Sequence, residues 1–75
     1  MPWNLNCWMR GDEIVVSLPG TSYAVAYYKP GSSPQLLARH LPPEGDDPRS
    51  ITRAEFLAQA WRLANDKARE LGWIV

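Results

Sequence analysis

The hydrophobic positions of this chain change period once. Up to Tyr28 the apolar residues of each segment recur at every second position, the spacing of a strand with one buried side, and from residue 52 they recur every three or four, the spacing of a helix. Turn residues divide the first part. Arg10-Gly11-Asp12-Glu13 places glycine at the first central position of a two-residue II′ hairpin, with Arg10 opposite Glu13. That register sets Met9 against Ile14, Cys7 against Val16 and Leu5 against Leu18, all on one face. Leu18-Pro19-Gly20-Thr21 carries the Pro-Gly centre of a type II turn. A short even-numbered loop there sets Val16 opposite Tyr23 and Ile14 opposite Val25, adding Tyr23, Val25 and Tyr27 to the same inner face. A third turn is expected at Lys29-Pro30-Gly31-Ser32. Strands are therefore expected over about 4–10, 13–18 and 22–28. Residues 36–41 fit either a fourth strand or a short helical turn, since Leu36, Leu37 and Leu41 suit both.

Residues 42–51 read as an extended connection, because Pro42, Pro43 and Pro48 exclude helix and ladder pairing. The helix that follows spans about 53–71. It opens on Thr52-Arg53-Ala54-Glu55, a capping box in which the threonine hydroxyl accepts from the Glu55 amide while Glu55 reaches back, and it stops at Gly72. At 100° per residue, Phe56, Leu57, Ala60, Trp61, Leu63, Ala64, Ala68 and Leu71 span roughly 160° of its circumference, a stripe wide enough to demand burial. Arg62 and Asp66 form an i, i+4 pair on the opposite side, worth about 0.3 kcal/mol, and Lys67 at the stripe's edge can lay its stem on the sheet. Strands followed by a helix define an α+β fold: a three- or four-stranded antiparallel β-meander with one C-terminal α-helix across its inner face, closed at one end by Trp73, Ile74 and Val75.

At 75 residues the chain is a single small domain, 1–75, and a domain of this size buries only about 60% of the surface its unfolded chain exposes. Cys7 is the only cysteine, so no internal disulfide compensates. Four tryptophans, three tyrosines and one phenylalanine supply the apolar area instead. Eight basic residues balance eight acidic ones, which argues against a general nucleic-acid binder relying on phosphate contacts. The N-terminal residues lack the basic and apolar run of a secretory signal, and no stretch approaches the roughly 18 apolar residues of a membrane helix. With a free thiol, the expected compartment is the cytoplasm.

Candidate chemistry is sparse. A Cys7–His40 nucleophilic pair is formally available, but the hairpin register turns Cys7 into the core, where a thiol is inert, and His40 stands beside a loop. One Cys and one His do not make a zinc site. Glu44, Asp46 and Asp47 cluster without the alternating ligand spacing of a calcium loop, so a solvated loop is the simpler reading. The glycines serve turns rather than a phosphate cradle, and Ser32 and Ser33 have no base placed to activate them. No enzyme activity, cofactor or metal is expected. The inner register leaves Trp8, Val15, Ala24, Ala26 and Tyr28 on the outer sheet face, with Asn6, Ser17 and Ser22. Such a face is more apolar than a solvated sheet needs, and it is the candidate interaction surface unless Trp3 or the 42–51 connection covers it.

The run Trp-Arg-Leu-Ala-Asn-Asp-Lys-Ala-Arg-Glu-Leu-Gly-Trp-Ile-Val at 61–75, with Gly-Asp-Glu-Ile-Val-Val-Ser-Leu-Pro-Gly-Thr at 11–21, resembles short uncharacterised bacterial proteins of unknown function. That resemblance covers most of the chain and implies no activity. The 52–64 segment, with Glu55 and Ala58, is similar to the helix of HicB-type antitoxins. The departures are Leu18-Pro19-Gly20 in the first rather than the second hairpin region and the lack of a DNA-binding segment after the helix. Double-stranded RNA-binding domains also end in three strands and a helix, but this chain has only Arg49 and Arg53 where they carry a lysine cluster. The leading expectation is a non-catalytic protein-interaction module that pairs with itself, as a homodimer, through the outer face. The alternatives are an antitoxin-like or regulatory partner of a larger protein, and a weak nucleic-acid contact through Lys29, Arg49 and Arg53.

Overall fold

The computed structural model describes residues 4–42 and 51–74. Four antiparallel strands, β1 (Asn6–Arg10), β2 (Glu13–Ser17), β3 (Ala24–Tyr28) and β4 (Leu37–His40), form one sheet in chain order, followed by a single helix, α1 (Arg53–Leu71). The first hairpin has the register set by its turn, from Asn6 opposite Ser17 to Arg10 opposite Glu13. Gly11 sits at φ 62° with no positive φ at Asp12, as a II′ turn requires.

The second hairpin corrects the expected pairing by two residues. Val16 pairs with Val25 rather than Tyr23, and Ile14 with Tyr27 rather than Val25. Pro19-Gly20 does form a turn, with Gly20 at φ 85° and the Thr21 amide donating to the Leu18 carbonyl at 3.2 Å. A type II turn twists against the strands it joins, so the ladder does not resume at Thr21. It resumes where the Leu18 amide donates to the Tyr23 carbonyl at 3.1 Å, across a four-residue loop, 19–22. The Thr21 hydroxyl stiffens that loop, donating to the Leu18 carbonyl at 2.8 Å and accepting from the Tyr23 amide at 3.1 Å. A slip of two preserves the faces, so Tyr23, Val25 and Tyr27 still point inward.

The third turn also lies one residue later than expected, with the Ser33 amide donating to the Pro30 carbonyl at 3.1 Å. Of the two readings for 36–41, the structure takes the strand. Its register shifts at Ala26/Tyr27, where Ala38 pairs with Tyr27 but His40 with Ala26, leaving Arg39 as the extra residue of a β-bulge.

The helix starts and stops where its caps direct. The Thr52 hydroxyl accepts from the Glu55 amide at 3.1 Å and donates to the Glu55 carboxylate at 3.2 Å, so the glutamate reaches back to the hydroxyl. At the other end Gly72, at φ 79°, donates to the Arg69 carbonyl and Trp73 to the Ala68 carbonyl, the two bonds of a Schellman motif. That turn folds Trp73 and Ile74 back against the core; Val75 lies outside the described residues. Asp66 pairs with Arg69 at 3.2 Å rather than with Arg62.

The buried face of α1 is narrower than the sequence pattern implies. Phe56, Ala60, Ala64 and Ala68, one i, i+4 row, are fully buried, while Leu57 and Leu63 are half-buried beside them. Trp61 and Leu71 remain 42% and 41% exposed, which corrects the expectation that the whole stripe is covered. The reason is one of dimensions. Three alanines let the helix settle closely onto β2 and β3, the strands it covers. A 19-residue helix is about 28 Å long, whereas five-residue strands reach only about 17 Å, which leaves the Leu71 end beyond the sheet, while Trp61 lies at the margin of the apolar stripe, beside the buried row. Tyr23 stacks on Phe56 with ring centroids 5.2 Å apart, and Tyr27 meets Trp61 at 5.6 Å in a tilted contact. Burial of the Tyr27 phenol pushes its pKa up to about 12.

Candidate interaction face of the sheet

The outer face is built in cross-strand rows by the two hairpin registers. Trp8 lies opposite Val15, Val15 opposite Ala26, and Ala26 opposite His40. The row toward one end joins Asn6, Ser17 and Ala24. At the other end stand Arg10 and Glu13 on one side, and Tyr28 opposite Leu37 on the other. All five residues expected to form a contact surface thus share this face. They do not share its exposure. Val15 and Ala26, at the centre, are 5% and 1% exposed and have little area to offer a partner. Trp8 is 40% exposed, Ala24 is exposed, and Tyr28 is half-buried. Trp3 and residues 43–50, the segments considered able to cover this face, lie outside the described residues, as do Glu44, Asp46, Asp47 and Arg49.

A charged cap occupies the end of the face near the first turn. Glu13 is buried, and both its oxygens are engaged: Arg10 donates to Oε1 at 3.0 Å and Arg39 to Oε2 at 2.9 Å. His40 Nε2 stands 3.8 Å from Oε2, and Asp12 approaches the Arg39 guanidinium at 3.8 Å. The same guanidinium lies over the Tyr28 ring, 4.0 Å from its centroid, within reach of cation–π attraction. The Arg10 hydrogen bond foremost, then the Arg39 hydrogen bond and both guanidinium charges, hold the Glu13 carboxyl below its ordinary value against the opposing pull of burial. A carboxylate kept ionised in this way is a poor proton acceptor. The carboxylate ties β1 and β4, the two edge strands, to β2.

Arg39 and His40 are the residues sequence reasoning missed here. Strict alternation would send one of them to each face, but the bulge lets both reach Glu13. One signal was available. Glu13 faces outward beside apolar neighbours, and a carboxylate in that setting calls for a cation from across the sheet.

Other candidate residues are separated by the fold. Cys7 is half-buried on the inner face of β1, and burial foremost raises its thiol pKa. Lys67 lowers that pKa, and Glu70 adds to the rise. His40 is on the outer face of β4, at the far edge, so the two cannot act as a nucleophile and its base. Lys29 lines a shallow depression with Asp12, Gly72 and Trp73 at the C-terminal end of α1, whereas Arg53 stands at the N-terminal end and donates to the Pro42 carbonyl at 3.4 Å. These two cations therefore stand at opposite ends of α1. Among the described residues, no group of three or more His, Cys, Asp or Glu is placed to hold a metal ion, and no helix is long and apolar enough to cross a membrane.

Compared with protein-family models, with curated proteins and with solved structures, the chain matches none.

Proposed function

We propose that this protein is a non-catalytic interaction module whose outer sheet face, at the β1 side, contacts a second copy of the chain. One observation carries the reading: Trp8, a large indole on an edge strand, is 40% exposed beside an apolar row whose other members are already closed to water. An exposed aromatic anchor bordered by a polar rim, here Arg10 and Asn6, is the composition of a contact hot spot. A two-fold pairing needs no other partner and places the same patch on both sides.

Light scattering at micromolar concentration tests this on wild type and Trp8→Asp. The wild type is expected to be dimeric and the variant monomeric with its helix content intact. A monomeric wild type, or a dimer indifferent to the substitution, refutes the reading.

A further inference from the structure

The two edges of the sheet are not equivalent, and the difference selects a geometry for self-association. In β2 the Leu18 amide bonds toward β3, through the Tyr23 carbonyl. Backbone groups alternate sides along a strand, so Ile14 and Val16 also bond toward β3, while Glu13, Val15 and Ser17 bond toward β1. Their partners Arg10, Trp8 and Asn6 consequently spend their amides and carbonyls within the hairpin. Cys7 and Met9 point theirs away from it. Among the described residues, β1 has no neighbour on that side.

At the opposite edge, β4 carries the Arg39 bulge, a device that discourages strand addition, while the Arg39 side chain turns back over the sheet to Tyr28 and Glu13. β1 has no bulge. Its five residues pair without a register break, and its single charge, Arg10, is neutralised by Glu13. Its inward side chains Cys7 and Met9, with Leu5 just before it, are only half-buried, so apolar surface runs to the rim.

We infer that β1 pairs antiparallel with β1 of a second copy, about a two-fold axis at Trp8, to make one continuous eight-stranded sheet. This inference rests on the self-association proposed above and specifies its geometry. The register follows from the free backbone groups: Cys7 and Met9 of one copy exchange amide and carbonyl bonds with Met9 and Cys7 of the other. Trp8 then falls opposite its own copy at a non-hydrogen-bonded position, where antiparallel side chains come closest, about 4.5 Å between Cα atoms. Arg10 falls opposite Asn6, so no like charges meet. Inner residues meet inner ones, extending each half-covered rim into the other.

Amide hydrogen exchange on the wild-type dimer, read beside light scattering of Cys7→Pro, provides the test. Proline at position 7 removes only an outward amide, so β1 can keep its bonds to β2. The expected result is protection of the Cys7 and Met9 amides in the wild type, and a monomeric Cys7→Pro that retains its helical circular dichroism and has lost protection at Met9. A dimer whose Cys7 and Met9 amides exchange freely, with Cys7→Pro still dimeric, overturns edge pairing but leaves outer-face association standing. A wild type monomeric throughout overturns both. If Cys7→Pro does not fold, exchange at the two wild-type amides decides the matter.

Discussion

The two faces of the sheet are held by opposite means. On the inner face, apolar side chains from β2 and β3 meet a single alanine-lined row of α1, and the cohesion is packing without direction. On the outer face, Val15 and Ala26 form a small apolar centre, but its charged end is organised by directional bonds converging on Glu13. The inner face should therefore respond to volume and be indifferent to pH. The outer face should respond to charge and tolerate changes of volume at its rim.

The largest effect expected of that contrast is at Phe56. It is wholly buried and stacked on Tyr23, so Phe56→Ala should cost about 3–5 kcal/mol in denaturant unfolding, close to the whole stability of a domain this small. Trp61→Ala, equally large on paper, should cost only about 1–2 kcal/mol, because much of the indole is already in water and its contact with Tyr27 is tilted and one-sided. Equal losses at the two positions would mean that the wide stripe is buried after all.

Next in size is Ala64→Leu. The added bulk has nowhere to go beneath a helix seated on alanine, and overpacking of this kind costs about 1–3 kcal/mol, measurable as a lower denaturation midpoint. A neutral result would show that the helix rides higher on the sheet than the alanine row implies.

The smallest effect belongs to the outer face and is one of sign. Glu13 has a folded pKa below its ordinary 4.5, so its ion pairs contribute stability that is present above about pH 4.5 and is lost as pH falls through the lower folded value. Thermal melts of wild type and Glu13→Gln across the acid range should converge as pH falls. Parallel curves would remove Glu13 from the account of the outer face.

Much of this was legible in the chain. The first hairpin register followed from Gly11, the inner residues from period-2 spacing, and both helix ends from Thr52 and Gly72. Each depends on neighbours a few residues apart. The second hairpin was legible only to parity, since period-2 spacing cannot distinguish registers two residues apart. The registers put the five candidate residues on the side that alternation implies, whereas their exposure was left open, because alternation says where a residue points and nothing about what closes over it.

The sequence by itself determined the order of the first three strands and the helix, the side of the sheet each residue of β1 to β3 takes, and the caps, because these are governed by backbone preferences and local hydrogen bonds. Only the tertiary structure decided which helix residues are covered, where the second ladder resumes, and that Arg39 and His40 converge on Glu13 across three strands. Those outcomes depend on the relative lengths of helix and sheet, on the twist of a turn and on a bulge, and such long-range geometry leaves no periodic trace along the chain.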